Sequence, residues 1–340
     1  MRKIPVEKLP LVYAALDAER QLWLPIKKDG RVEFGLWSQD AEVYLSGKTG
    51  KSGKDFFSPQ TEDIVSFHSK GKEISIVEKA RPDAPFVVFA MRGCDAAAMD
   101  VLDTVFLAEP KDSFYEARRN AGTIVTLACG DPDESCFCTT FDIDPGKPSG
   151  DVTVWIAGDT LYWQDNTEKG KKLTEELSNI LEDAGAEGEA AVKKKQGEIA
   201  STMEAMPLHG LKAPKVSAEE LSSWFDSPNW QKMSEACLGC GTCTFVCPTC
   251  QCYDIQDKPM ADGGIRRFRC WDSCMYSDFT LMAHGNPRTT QLQRYRQRFM
   301  HKLVYFPQNN DGSYSCVGCG RCVEKCPSAQ NIVKVIKAMS

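Results

Sequence analysis

Two cysteine runs with the same spacing constrain this chain more than any other feature of its sequence. One run begins at Cys237 and the other at Cys316, and each reads C-x2-C-x2-C-x3-C-P. With this spacing, three thiolates bind one [4Fe–4S] cluster, and the fourth, just before proline, binds the neighbouring cluster. We therefore predict two crossed ligand sets, which are Cys237, Cys240, Cys243 and Cys326 for the first cluster and Cys316, Cys319, Cys322 and Cys247 for the second.

Zinc is the alternative metal for cysteines at short spacing. Structural zinc sites, however, use paired C-x2-4-C knuckles rather than four cysteines that end in Cys-Pro. Each run also carries glycines between its cysteines, where backbone without a Cβ atom can pass close to inorganic sulfide. Two identical runs of this kind favour iron–sulfur clusters over zinc.

The composition indicates an intracellular redox protein. A chain of 340 residues can hold two or three domains, and its first residues offer no apolar signal-peptide core. Its 16 cysteines are therefore expected to be metal ligands in a reducing cytoplasm rather than disulfides. No apolar run approaches the roughly twenty residues that a membrane-spanning helix needs, so we expect no direct membrane insertion. A formal net charge of −6 argues against nucleic acid as the main partner.

A third group of cysteines follows two predicted buried strands. The apolar runs 85–91 and 123–129 flank a predicted helix over 96–106, and this order is typical of a right-handed βαβ unit. Open α/β sheets bind ligands at the carboxyl ends of such strands. Buried structural cysteines are the alternative interpretation. We predict a third iron–sulfur cluster, bound by Cys94, Cys129, Cys136 and Cys138.

Two further segments predict antiparallel strands. Residues Leu11–Leu16, Gln21–Ile26 and Arg31–Leu36 have the apolar pattern of short strands in a small antiparallel unit. Residues 152–156 and 160–164, joined by a turn with glycine, predict a β-hairpin.

These elements predict a mixed fold class, α+β with an α/β part. We divide the chain into an N-terminal mixed α/β domain (1–165), a helical connector and linker (166–215), and a ferredoxin-like domain with two clusters (216–340). The last domain carries a long insertion over 248–315, which is much more than a minimal ferredoxin fold requires.

The insertion holds four more cysteines, and two interpretations of them remain open: a further metal site or packed free thiols. Two of them, Cys270 and Cys274, are expected on adjacent turns of one helix, because residues three to four apart share a helix face. The complete group is Cys250, Cys252, Cys270 and Cys274.

A helix is predicted to start at Asn286-Pro287, with an apolar stripe that includes Tyr295 and Phe299. Basic residues occupy its other faces. They are either solvated, or they offset the negative charge of the clusters, or they dock an acidic partner. These basic residues are Arg294, Arg296, Arg298 and Lys302.

The sequence predicts neither nucleotide binding nor side-chain catalysis. Residues 48–55 lack the G-x4-G-K-[ST] spacing of a phosphate loop, and we interpret them as a mobile loop. The chain also lacks G-x-G-x-x-G, so we expect it to bind no dinucleotide itself. Its four histidines are scattered and none pairs with a plausible nucleophile, so no catalytic residue is predicted.

Several short motifs outside the two runs carry a family resemblance. They are Arg92–Asp95, Arg118–Asn120, Cys136–Cys138, Cys247–Cys252, Trp271–Cys274 and Asn286–Arg288. Together they resemble the 4Fe–4S dicluster electron-transfer subunits typified by that of anaerobic sulfite reductase and by the β subunit of NAD(P)-linked sulfhydrogenases. The resemblance extends from about Phe57 to the C-terminus.

The resemblance implies an iron–sulfur electron-transfer subunit of a multisubunit anaerobic oxidoreductase. Such a subunit passes single electrons between a ferredoxin-reductase-like partner, which carries FAD and binds NAD(P)H, and a terminal redox subunit. The terminal subunit would be of the sulfite reductase, hydrogenase or heterodisulfide-reductase type. Two alternatives remain: a self-contained enzyme that binds substrate at a cluster with an open ligand position, or a cluster-bearing sensor.

Overall fold

The computed structural model describes residues 1–339. Its strands are β1 (Arg2–Pro5), β2 (Gln21–Lys28), β3 (Arg31–Leu36), β4 (Thr61–Lys70), β5 (Glu73–Glu78), β6 (Phe86–Arg92), β7 (Gly122–Leu127), β8 (Val152–Ala157), β9 (Thr160–Asp165), β10 (Glu182–Asp183), β11 (Tyr253–Pro259) and β12 (Ile265–Trp271).

Its α-helices are α1 (Leu9–Asp17), α2 (Lys54–Phe57), α3 (Gly93–Phe106), α4 (Ser113–Ala121), α5 (Glu168–Glu176), α6 (Gly185–Glu204), α7 (Leu221–Phe225), α8 (Asn229–Ser234), α9 (Thr242–Phe245), α10 (Gln291–Met300), α11 (Phe306–Asn309), α12 (Arg321–Glu324) and α13 (Ile332–Met339). Short 3-10 turns cover Val6–Lys8 and Cys138–Phe141, and a π-helical turn over His301–Tyr305 joins α10 to α11.

The larger sheet confirms the predicted α/β part of the fold. Over residues 1–339 its strand order is β10-β1-β9-β8-β7-β6-β2-β3. The neighbours β2, β6, β7 and β8 run parallel, whereas β8 and β9 form the predicted antiparallel hairpin. Strand β6 is buried from Val87 to Arg92 because helices cover the sheet, as its continuous apolar run predicts. Cys94 and Cys129 therefore follow the carboxyl ends of two adjacent parallel strands.

The smaller sheet joins the insertion to the N-terminal part of the chain. Its order in the described residues is β11-β12-β4-β5, and every neighbouring pair is antiparallel. Strands β11 and β12 come from the insertion, and β12 pairs with β4 so that Cys270 lies opposite Thr61. The domain boundaries predicted at residues 165 and 215 stay a prediction. The smaller sheet contains strands from both sides of these boundaries.

The prediction of a strand over Leu11–Leu16 is wrong, because this segment lies in α1. The buried residues of α1 are Leu9, Val12, Tyr13 and Leu16. Their spacing of three and four residues is the period of a helix with one apolar face, and it outweighs the apparent alternation of the shorter window.

The predicted helix over Cys270–Cys274 is also wrong. Cys270 lies in β12, where it pairs with Thr61 on one side and Asp254 on the other, and the strand ends at Trp271. Backbone hydrogen bonds to two neighbouring strands therefore determine the conformation of this segment.

Helix α10 begins later than Asn286-Pro287 predicts. Thr290 caps it by accepting the backbone N–H of Gln293, and the Gln293 side chain accepts the backbone N–H of Thr290. Asn286 instead accepts the backbone N–H of Arg288 in a local turn. Such turns compete with helix initiation at asparagine.

The apolar stripe of α10 forms the core beneath the two cysteine runs. Tyr295 and Phe299 are buried and pack with Trp230 of α8 and Ile332 of α13. Cysteines from both runs pack against the same core. No helix within residues 1–339 combines the length and apolar character that crossing a membrane requires.

Candidate iron–sulfur sites

Three cysteines of site 1, the predicted set Cys237, Cys240, Cys243 and Cys326, lie around Tyr295. The thiol of Cys237 lies close enough to Cys243 and Cys326 for electrostatic interaction, and the Tyr295 hydroxyl interacts with the same three cysteines. Cys243 lies on α9, and Cys326 follows α12, which packs against α9. The structure thus brings together cysteines from the two runs in the crossed combination. Cys240 is exposed on the loop before α9.

Site 2, the predicted set Cys316, Cys319, Cys322 and Cys247, is more deeply buried. Cys322, on α12, interacts electrostatically with the other three cysteines. Cys247 follows α9, so the fourth thiol of this set comes from the first run. Burial raises the pKa of Cys316 to about 12. A buried thiol of this kind ionises when it binds a metal.

Site 3, the predicted set Cys94, Cys129, Cys136 and Cys138, lines one cavity at the carboxyl end of the parallel strands. Cys94 lies in the first turn of α3, and Cys129 follows β7. Cys138 interacts electrostatically with Cys129 and Cys136, and burial raises its pKa to about 12. The βαβ unit therefore helps to bring together the four thiol groups that were predicted to form one site. Cys319 of site 2 lines the same cavity.

Glycines allow site 2 and site 3 to lie side by side. Gly318 has a φ of 59°, and a Cβ atom there would lie 2.3 Å from the carbonyl oxygen of Phe137. Gly320 has a φ of 77°, and a Cβ atom there would lie 2.4 Å from the carbonyl oxygen of Ser135. Only glycine fits both the left-handed backbone and this close approach. The Phe137 N–H also donates to the Gly318 oxygen at 2.8 Å.

The insertion cysteines form a group of three thiols, which we call site 4. The Cys252 thiol interacts with the thiols of Cys250 and Cys274. The Cys250 thiol acts to lower the pKa of Cys252, but the Cys274 thiol and burial outweigh it and raise this pKa to about 11. Cys270 lines a cavity with Cys250 and Cys252, but its thiol interacts with the carboxylate of Asp254 rather than with another cysteine. The structure therefore brings three of the four predicted residues into contact and leaves Cys270 beside them.

Two buried cations within the insertion, Arg298 on α10 and Lys302 on the π-helical turn after it, lie against sites 1 and 2. The Arg298 guanidinium donates from Nε to Cys243 Sγ at 3.0 Å and from Nη2 to the Cys243 oxygen at 2.7 Å. Lys302 Nζ donates to the carbonyl oxygen of Ser315 at 2.8 Å. Burial acts to lower the pKa of Lys302, but the thiols of Cys247 and Cys250 outweigh it and raise this pKa above its ordinary value.

Two more buried cations were not predicted from the sequence. The Arg321 guanidinium pairs with Asp95 at 2.8 Å, and it interacts with Cys319 of site 2 and Cys94 of site 3. Arg321 and Asp95 are each fully buried. The only signal for Arg321 was its place within the second cysteine run.

The second of these cations is Lys54, which lies beside site 4. Its Nζ donates to the carbonyl oxygen of Cys250 at 3.1 Å and lies 3.4 Å from the centre of the Trp271 ring. Burial lowers the pKa of Lys54 below its ordinary value. No pattern in residues 48–55 indicated that this lysine would be buried.

Buried donors without protein acceptors test whether clusters fit sites 1 and 2. Within residues 1–339 the Tyr295 hydroxyl, Arg298 Nη1 and the Ser315 hydroxyl are buried and lack a hydrogen-bond partner. Tyr295 interacts with three site 1 cysteines, and Arg298 interacts with Cys243 of site 1 and with Cys322 and Cys247 of site 2. Ser315 precedes Cys316 of site 2. Buried donors are almost always satisfied, and cluster sulfides accept such hydrogen bonds. The residues present therefore fit [4Fe–4S] clusters.

In the described part of the chain, no three His, Cys, Asp or Glu side chains converge closely enough to bind one metal ion. The four thiolates around a cubane need not converge in this way, because each binds a different iron atom.

Thiol groups of this number and arrangement are typical of an iron–sulfur protein. The family model for the 4Fe–4S dicluster domain matches residues 236–330. Over 337 residues the chain is 35% identical to Sulfhydrogenase 2 subunit beta of Pyrococcus furiosus, and the match covers 98% of this chain and 96% of that protein. The chain therefore belongs to the family of sulfhydrogenase β subunits, and it is an iron–sulfur electron-transfer protein. No solved structure matches it.

Proposed function

We propose that this chain is the iron–sulfur subunit of a multisubunit oxidoreductase. In this role it passes single electrons between a partner subunit that carries FAD and binds NAD(P)H and a terminal redox subunit. The relative from Pyrococcus furiosus is named as the β subunit of a sulfhydrogenase, which supports a place in such a complex. The observation that carries the proposal is the contact between successive cysteine sites.

The ligand assignment is part of this proposal. Sites 1, 2 and 3 each bind one [4Fe–4S] cluster through the four cysteines already assigned to them. Site 4 binds a further cluster through Cys250, Cys252 and Cys274. The grouping of the thiol side chains supports these sets, and the buried donors around sites 1 and 2 support filled sites there.

When bound, [4Fe–4S] clusters accept and release one electron at a time, over a range of potentials that depends on charge, burial and hydrogen bonds. The protein supplies those three influences. Arg298 and Lys302 provide positive charge next to thiolate ligands, and the apolar core around Tyr295 and Phe299 excludes water. Second-shell groups of this kind tune a metal site as much as its ligands do.

The contacts between sites support a continuous route through the chain. Site 3 adjoins site 2 where Cys136 Sγ lies 3.9 Å from the carbonyl oxygen of Cys319. Site 2 adjoins site 1 because Cys243 lies on α9 and Cys247 follows that helix two residues after its end. Site 4 adjoins site 2 where Cys247 interacts with Cys250. Site 2 is therefore the junction that touches each of the other three.

One observation favours a second candidate function, in which the chain itself binds a substrate at a cluster. Three thiol groups in contact at site 4 would leave one iron without a cysteine ligand, and that iron could bind a substrate or a water molecule. An EPR signal that changes when substrate is added would favour this candidate. An unchanged signal would favour electron transfer alone.

The test is the iron and acid-labile sulfide content of anaerobically purified protein, followed by EPR of the reduced form. About twelve irons per chain would support sites 1 to 3, and about sixteen would include site 4, since each cubane holds four irons. About eight would leave the site 3 cysteines structural. Zinc with little iron would refute the proposal. Reduction by NAD(P)H in the presence of a co-purified flavoprotein, and not in its absence, would identify the partner.

A further inference from the structure

One edge of site 1 reaches the protein surface. Among the eight cysteines of sites 1 and 2, Cys240 alone is exposed in the described part of the chain, and the others are buried or partly buried. A cluster at site 1 would therefore approach solvent at this residue. Electron transfer to another protein requires close approach of the two redox groups, so the surface around Cys240 is where a partner can come nearest to site 1.

A groove with a mainly polar lining lies beside the Cys240 loop, and it also carries large exposed apolar side chains. Leu238, Tyr276 and Leu281 line it, and Leu238 is 70% exposed and Leu281 is 61% exposed. The Tyr276 hydroxyl donates to the carbonyl oxygen of Cys240 at 3.4 Å, which fixes the aromatic ring against the cysteine loop. Large apolar side chains that are grouped and exposed in this way are typical of protein–protein contact surfaces.

Three carboxylates line the same groove, and they make it acidic. They are Asp254, Asp272 and Asp278, and none of them forms an ion pair within residues 1–339. Arg294 also lines the groove and donates to the carbonyl oxygens of Met275 and Arg288. Three carboxylates against one guanidinium leave an excess of negative charge.

We propose that the surface formed by Leu238, Cys240, Tyr276, Leu281 and the three carboxylates, here called the Cys240 face, docks a one-electron carrier protein with a basic rim. The partner's redox group would lie in an apolar patch surrounded by lysine and arginine side chains. Opposite charges at the rim speed encounter, and apolar contact at the centre holds the complex. This inference rests on the proposed function, because it assumes a cluster at site 1.

The experiment uses the holoprotein, reduced photochemically under anaerobic conditions. The probe is cytochrome c, a basic haem protein, and its reduction is followed by stopped-flow absorbance. The variant Asp254→Asn/Asp278→Asn removes two charges from the face and preserves side-chain shape. We expect its rate constant at low salt to fall roughly three- to tenfold and to depend less steeply on ionic strength. The control is Asp159→Asn/Glu189→Gln, which removes two exposed charges outside the groove and is expected to leave both quantities close to wild type.

A second pair of variants tests the apolar part of the face. Leu281→Ala should slow cytochrome c reduction at every ionic strength, because it removes contact area and no charge. Ile74→Ala is the matched control, since Ile74 is a similarly exposed aliphatic residue on the edge strand β5. It should leave the rate constant unchanged.

The results separate failure of the docking surface from failure of the proposed function. Each variant is also mixed with a small uncharged quinone, which needs no docking surface and should be reduced at the wild-type rate. The docking surface would be overturned if the groove and control pairs changed the rate constant of cytochrome c reduction equally, or if neither pair changed it. In that case the quinone reaction would still report electron transfer. If the wild-type holoprotein reduced neither acceptor, both the docking surface and the proposed function would be overturned.

Discussion

Replacing Arg298 by methionine should make the cluster at site 1 harder to reduce. The guanidinium is buried and donates to both the thiol and the carbonyl oxygen of Cys243. Reduction adds one negative charge to the cluster, and a neighbouring positive charge favours that added charge. Methionine has a similar length and no charge, so the variant removes this stabilisation with little change in packing.

The magnitude follows from Coulomb's law. An elementary charge about 5–6 Å from the cluster, at an effective dielectric constant of about 20, contributes roughly 3 kcal/mol. For a one-electron couple about 59 mV corresponds to a tenfold change in the equilibrium constant, so the potential should fall by on the order of 100 mV. Loss of the hydrogen bond to Cys243 Sγ acts in the same direction, because hydrogen bonds to sulfur raise cluster potentials.

The assay is an EPR-monitored redox titration of wild type and variants, with iron content measured on the same samples. Arg296→Met is the matched control on the same helix, because Arg296 stacks on Phe225 at 3.5 Å and donates to its carbonyl oxygen. Arg298→Lys keeps the charge and should recover most of the potential. Only Arg298→Met should shift one of the cluster signals by the full amount.

Equal potentials in wild type and Arg298→Met, at equal iron content, would refute the assignment of this cation to a cluster at site 1. A fall of the same size in Arg296→Met would refute it as well, since it would mean that any charge lost from this helix has the same effect. A loss of about four irons in Arg298→Met would instead show that the cation is needed to assemble the cluster.

Three further outcomes follow from the contacts around the other sites. Arg321→Met should destabilise the protein by about 3–5 kcal/mol because it leaves Asp95 buried and unpaired. The double variant Arg321→Met/Asp95→Asn should recover most of this stability. For both variants, the measurement is the rate at which heat bleaches the iron–sulfur absorbance. Cys138→Ser should lower the iron content by about four atoms per chain and leave the EPR signals of sites 1 and 2 in place. Cys250→Ala should lower the iron content, whereas Cys270→Ala should not, because the Cys270 thiol interacts with the carboxylates of Asp254 and Asp272, whereas the Cys252 thiol interacts with Cys250 and Cys274. Iron analysis of both variants decides this.

The cysteine groupings could be predicted because short-range sequence carries their geometry. In each run the spacing places three thiols on one loop and turn, and proline follows the fourth. The structure gathers Cys243 with Cys326 and Cys247 with Cys322, as the crossed sets require, while ligation itself stays a prediction. Site 3 could be grouped because parallel strands carry Cys94 and its companions to one edge of the sheet.

The pairing of the insertion with β4 could not be predicted in the same way. Arg269 of β12 lies opposite Glu62 and forms an ion pair with it at 2.6 Å, although the two residues are about two hundred positions apart. Local patterns give strand tendency but no partner for a strand, because pairing depends on which faces the rest of the fold buries. The error over Cys270–Cys274 has the same cause.

The segment 48–55 differs most from its prediction. Its glycines and lysines are typical of a mobile loop, yet Thr49, Ser52 and Lys54 are buried. Thr49 is held by the Arg321 guanidinium, which donates to its carbonyl oxygen at 3.0 Å. Contacts with residues far along the chain determine this conformation, so composition within the loop could not predict it.

The buried cations give an argument for filled sites that does not depend on cysteine spacing. Burying an unpaired cation costs several kcal/mol, so proteins bury cations with anions. Within residues 1–339 Arg321 has a carboxylate partner, whereas Arg298, Lys302 and Lys54 form no ion pair with a carboxylate and instead lie against cysteines. Thiolate-bound clusters at these sites would supply the missing negative charge. Lys302 interacts with both Cys247 and Cys250, so the same need for negative charge reaches from site 2 to site 4, where the spacing of the cysteines alone left metal binding and free thiols equally open.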